Sequence, residues 1–181
     1  MIIENDVTKA IFERQSIREY TDEKLSDSEI ETLMKAAISA PSARNLQPCH
    51  VRFITNRGIL DEMNRDFKDF VGYDTPAYSR YSTNPVYQNA PSMMMIFSEN
   101  ASKLDAGIMV ENVAVCAKGI GLDSVIILSI RQLFDSPSGN KWKKFLSIPE
   151  NYQFDIAISI GHGNEKPEKK PRNEEQFKII K

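Results

Sequence analysis

The stretch LDAGIMVENVAVCAKGI, residues 104–120, decides the architecture. Leu104, Ile108, Met109, Val113, Val115, Cys116 and Ile120 fall around most of a helical circumference. A helix that is apolar all round is buried on all sides, by its own domain or by a partner chain. Gly119 and Gly121 end it, and Asp123 to Leu128 then reads as an apolar strand. On its other side, Ser92 to Phe97 reads as a buried strand. Strand alternation sends the neighbours in Met93-Met94-Met95 to opposite faces, which makes the triplet core rather than a metal site.

Outward from this centre the elements continue to alternate. Leu60, Met63, Phe67 and Phe70 form a helical stripe after a short strand, His50 to Thr55. Ser26-Asp27-Ser28-Glu29 is a capping box, in which serine and glutamate satisfy orphan amides reciprocally. It opens a helix carrying Ile30, Leu33, Met34, Ala37 and Ile38, with Pro41 just past the end. Asp6 is the expected cap of a first helix with Val7, Ala10 and Ile11 on one face. Trp142, Phe145 and Leu146 mark a short helix before Pro149, and Phe154 to Ile160 is strand-like. About five helices interleave with four strands, without internal repeat or linker, which predicts helices flanking one sheet in an α+β or α/β fold. One domain over residues 1–181 is expected, with an extended polar tail over 165–181.

Composition bounds the function. The chain has 181 residues, with 23 Lys+Arg against 25 Asp+Glu. That near-balance argues against a dedicated nucleic-acid binder, which would be clearly basic. Two cysteines and two histidines are too few for a disulfide framework or a Cys/His zinc site. The N-terminus lacks the apolar run of a signal peptide, and no stretch approaches the ~18 apolar residues of a membrane span. A cytoplasmic location is the simplest expectation. No G-x-G-x-x-G, Walker or G-x-S-x-G motif occurs. Neither His50 nor His162 sits in the context of a general base.

Three segments carry chemistry instead. Arg14-Gln15-Ser16-Ile17-Arg18 places two guanidiniums and a hydroxyl within five residues, a set able to converge on one dianion. Pairing with Glu13, Glu19 or Asp22 on a solvated face is the competing reading. Lys166-Pro167-Glu168-Lys169-Lys170-Pro171-Arg172 is a second cationic stretch that its prolines hold extended. It is either a strap laid over the domain or a disordered tail. Pro41 to Pro48 is a polar loop between two prolines. Residues 71–91, with Tyr73, Tyr78, Tyr81 and Tyr87, show no periodicity; stretches of that length are uncommon in compact domains unless they are lids or binding loops.

In register, these segments resemble the nitroreductase-like FMN-dependent oxidoreductase family in its short single-domain form. Arg14-Gln15-Ser16-Ile17-Arg18 followed by Glu19-Tyr20 is similar to that family's R-x-S-x-[RK] signature. Ala40-Pro41-Ser42-Ala43-Arg44-Asn45-Leu46-Gln47-Pro48 is similar to its A-P-S-x-x-N-x-Q-P loop. Leu104 through Asn112, leading into Gly119-Ile120-Gly121-Leu122, looks like its central helix. Ile148-Pro149-Glu150 to Gly161, then Lys166 to Arg172, looks like its C-terminal pattern.

The resemblance implies an α+β fold with a central mixed, mainly antiparallel sheet, and an intertwined homodimer holding FMN at the subunit interface. It implies that Arg14, Ser16 and Arg18 bind the phosphate and ribityl region, with Lys170 and Arg172 on the same phosphate. Pro41, Ser42, Ala43, Arg44 and Asn45 would come from the other subunit to line the isoalloxazine ring. Ile126, Ile127 and Leu128 would pack on the ring and offer backbone amides. The implied activity is ping-pong hydride transfer from NADH or NADPH through FMN to a small acceptor such as a nitroaromatic or quinone, with no catalytic side chain. The stretch 71–91 would form a lid over the acceptor or pack a dimer arm. Cys49 stands where many members have tryptophan, and Ile127 and Leu128 replace small or acidic residues. An FMN storage or sensor protein with little turnover, or a module for another phosphorylated ligand, are the alternatives.

Overall fold

The computed structural model describes residues 2–73, 85–99 and 102–180. Four strands form one sheet: β1 (Cys49–Ile54), β2 (Ser92–Glu99), β3 (Asp123–Ile127) and β4 (Tyr152–Gly161). Their order is β1-β2-β4-β3 and every pairing is antiparallel. The one parallel element among the described residues is an isolated bridge between Ser16 and Ser124. Six α-helices surround the sheet: α1 (Asp6–Glu13), α2 (Asp27–Ile38), α3 (Arg57–Val71), α4 (Lys103–Gly119), α5 (Arg131–Asp135) and α6 (Gly139–Phe145). None of the described helices is long and apolar enough to cross a membrane.

β2 is buried on both faces because it lies inside the sheet with helices on either side. Met93, Met95 and Phe97 face one core with Leu60, Met63 and Phe67 of α3 and Trp142 of α6. Met94 and Ile96 face the other, with Leu33 and Ala37 of α2 and Val110, Val113 and Ala117 of α4. The methionine triplet is thus split between two cores, as strand alternation requires.

The capping box at Ser26 forms: Glu29 N–H donates to Ser26 Oγ at 3.3 Å and Ser26 N–H donates to Glu29 Oε2 at 2.7 Å. The first helix corrects the sequence expectation. Asn5, not Asp6, is its cap, because Asn5 and Thr8 exchange reciprocal bonds. Helix α5 has no counterpart in the sequence pattern; at five residues it is too short to display a period. Tyr87 is buried, and its hydroxyl donates to Asp61, so it packs in the core rather than serving a lid. Tyr73 is half-exposed, with the Lys68 ammonium over its ring. Tyr78 and Tyr81 lie outside the described residues.

The β2–β4 register slips once. Ile96 faces Ile156 and Phe97 faces Phe154, which leaves Asp155 as the extra residue of a bulge. Asp155 is buried, and neither carboxylate oxygen has a hydrogen-bond partner of good geometry among the described residues. Burial raises its carboxyl above the usual carboxylate range, opposed by the neighbouring Ser98 hydroxyl and by Lys103 and Arg131. A carboxyl whose folded pKa is raised destabilises the fold as pH climbs above its unfolded pKa. Asp155→Asn should therefore raise stability by about 1 kcal/mol at neutral pH. The gain should shrink as the pH of denaturant titrations falls through about 4 and vanish below about 3, where both states hold the acid neutral.

Candidate functional site

The site begins where α1 ends. Arg14 caps that helix in an extended conformation, and the chain turns alongside β3. Ile17 N–H donates to the Ser124 carbonyl at 3.0 Å, and the Ile17 side chain is buried. The Tyr20 hydroxyl donates to the Ile17 carbonyl at 2.6 Å. Burial is the largest cause holding the Tyr20 phenol well above its ordinary pKa, so it acts as a neutral donor. These bonds fix the backbone of residues 16–20, so the Arg14, Ser16 and Arg18 side chains project from a held frame.

The same segment captures the start of the tail. Thr21 N–H donates to the His162 carbonyl at 2.9 Å, Tyr20 pairs with Gly163, and Asn164 N–H donates to the Glu19 carbonyl at 2.8 Å. The Glu165 carboxylate accepts the Arg18 backbone N–H. Residues 167–172 then run along the loop. Phe12, Arg14, Ser16, Arg18, Lys170 and Arg172 all line one cleft of about 320 Å³, together with Gln15, Lys169 and Glu168. Two stretches far apart in sequence meet because backbone bonds zip their roots together. The Arg18 guanidinium donates to the Ser16 carbonyl at 3.2 Å, and Arg14 Nε lies 3.8 Å from Glu111 of α4. Among the described residues, no carboxylate stands within ion-pair distance of Arg18, Lys170 or Arg172. Cations without a carboxylate partner on a concave wall have the chemistry to hold a multivalent anion.

The other anticipated residues lie elsewhere in the chain. Pro41 and Ser42 line a separate crevice of about 50 Å³ with Cys49, Asp105 and Met109. Ala43 and Asn45 bound a single 3₁₀ turn. Arg44, Asn45 and Gln47 have φ of 53°, 57° and 48°. Three non-glycine residues in the left-handed region, within one exposed loop, store strain of the kind that collects at binding sites. The Ser42 hydroxyl accepts the Gln47 N–H at 2.9 Å and clamps the loop.

At the end of β3 the expectation for Ile127 needs correction. Strand alternation turns its side chain into the core, while Ile126 is partly exposed and Leu128 is 57% exposed. Of these three, only Ile126 and Leu128 expose their apolar side chains. Neither histidine enters the cleft lining. His50 packs on the Tyr152 ring, and His162 Nε2 lies 3.7 and 3.9 Å from Glu23 and Glu29. Both cysteines are free thiols, and burial raises their pKa, Cys49 to about 11. No group of residues able to hold a metal ion occurs among the described residues. Glu165 and Tyr20 organise this segment, and no sequence period marks either.

The fold is α+β with a cationic cleft, and comparison with known proteins gives the family. Residues 11–162 match the model of the Nitroreductase family. The chain belongs to that family. It is 30% identical over 175 residues to an Archaeoglobus fulgidus protein provisionally described as an NADH dehydrogenase/NAD(P)H nitroreductase, covering 93% of this chain and 87% of that one. It is 26% identical over 177 residues to the NADPH-flavin oxidoreductase of Vibrio harveyi, covering 93% and 70%. A nitroreductase with bound FMN from Desulfitobacterium hafniense shares the fold with a TM-score of 0.91 at 24% identity, over 99% of this chain and all of the other.

Proposed function

We propose that the protein is an FMN-dependent NAD(P)H oxidoreductase that passes hydride to a small oxidised acceptor and works as a homodimer. The observation carrying this reading is the convergence of Arg14, Ser16 and Arg18 with Lys170 and Arg172 on one cleft. The donor set suits the FMN phosphate: planar guanidinium forks, an ammonium and a hydroxyl, held by Tyr20 and Ile17. The names of the relatives, NADPH-flavin oxidoreductase among them, agree with it.

FMN, when bound, supplies hydride acceptance and donation; the protein supplies position and environment. Arg14, Arg18, Lys170 and Arg172 would anchor the phosphate, and Ser16 would donate a further hydrogen bond. Exposed Ile126 and Leu128 would offer an apolar wall that excludes water from one side of the ring. The strained Pro41–Gln47 loop lies apart from the cationic cleft within one chain, which suits service in a partner's site. Large apolar residues also stand uncovered on α1, on α4 and in the tail, among them Val7, Ile11, Leu104 and Ile180. Such patches mark association surfaces.

One experiment tests both parts. FMN titration by flavin fluorescence, run with sedimentation analysis, should show saturable binding of one FMN per chain in a dimer. A colourless monomer that takes up no added FMN contradicts the reading.

A further inference from the structure

The cleft holds more positive charge than one phosphate uses. Its wall carries Arg14, Arg18, Lys169, Lys170 and Arg172 against a single acid, Glu168. A phosphate monoester dianion compensates at most about two charges. Only Arg14 among these cations has a carboxylate within ion-pair distance among the described residues. Lys169 is exposed on the Pro167–Pro171 strap, next to Lys170.

We propose that Lys169 is a specificity-determining residue that attracts the 2′-phosphate of NADPH, so that the protein takes NADPH in preference to NADH. This rests on the reading of the site as FMN-dependent. The two nicotinamides differ at that single phosphate. Both also carry a pyrophosphate, so a surplus of cations attracts both donors, and NADPH more strongly for its added dianion. An exposed lysine serves as a mobile point charge on a flexible stem, which suits a ligand that arrives and leaves in each turnover. Because the charge is exposed, salt screens its effect.

The test is anaerobic stopped-flow reduction of the FMN-loaded protein by NADPH and by NADH across a salt series, with wild type and Lys169→Gln. The second-order constant for flavin bleaching should be about tenfold larger with NADPH at low salt, and the ratio should shrink as salt rises. Lys169→Gln should lower the ratio about fivefold, the reach of one exposed ion pair, through the NADPH constant. The dissociation constant for FMN is read separately. Equal constants for both nicotinamides, or a ratio that Lys169→Gln leaves unchanged, overturns the assignment and leaves the flavin reading standing. A variant whose FMN affinity falls while its ratio holds places Lys169 on the flavin phosphate and overturns it as well. Bleaching by neither nicotinamide overturns the assignment together with the donor reading beneath it.

Discussion

Replacing Arg14 and Arg18 together by alanine should weaken FMN binding by at least about 3 kcal/mol, roughly a hundredfold or more. Each charge-assisted contact to a phosphate contributes ~1.5–3 kcal/mol. Both guanidiniums line the cleft, and only Arg14 shares its charge with a carboxylate, Glu111 at 3.8 Å. That neighbour is exposed, so its competition for Arg14 is weak. The fold should survive the double substitution: the Arg18 guanidinium's bond to the Ser16 carbonyl is lost, but those made by backbone groups, Tyr20 and the Glu165 carboxylate remain. Fluorescence titration with FMN checks the affinity, and circular dichroism checks the fold. Unchanged affinity in a folded double variant would remove the phosphate role from this loop.

Gly161→Ala should cost about 1–3 kcal/mol of stability and lower FMN affinity with it. A Cβ at this position would stand 2.5 Å from Cδ and 2.8 Å from Cγ of Pro91, and 3.0 Å from Cδ1 of Tyr20. The Pro91 ring is rigid and precedes β2, so it cannot yield cheaply. Tyr20 would be the part that moves, and Tyr20 holds the Ile17 carbonyl between the two cleft arginines. A substitution at the end of β4 therefore reaches the anion site through one ring contact. Thermal denaturation reads the first effect, and FMN titration of the folded variant reads the second. A lowered Tm with unchanged FMN affinity would uncouple Tyr20 from the site.

Much of this arrangement was legible in the chain, for identifiable reasons. Ser26 and Glu29 announce a helix because their reciprocal bonds need only a three-residue spacing. Met93-Met94-Met95 announces a strand with two buried faces because alternation leaves no other place for it. Arg14-x-Ser16-x-Arg18 announces a cationic cluster because its donors are close in sequence. What joins those donors to Lys170 and Arg172 is invisible there, since it consists of backbone bonds from residues 17–21 to residues 124 and 162–164 and of one bond to the Glu165 carboxylate. Asn5 took the cap from Asp6 because Thr8 could answer it. The inward turn of Ile127 follows from the same alternation that placed the methionines. The bulge at Asp155 was not legible, because a one-residue slip against β2 leaves no compositional trace.

The proposed activity needs a flavin that a nicotinamide reduces and a small acceptor reoxidises. The direct measurement is anaerobic mixing of the FMN-loaded protein with NADPH or NADH, followed by a quinone or nitroaromatic, while the visible flavin band is recorded. Rapid loss of the band with a nicotinamide, and its return on adding the acceptor, is the predicted result. A band that persists with both nicotinamides would contradict the account and leave a protein that holds FMN without turning it over.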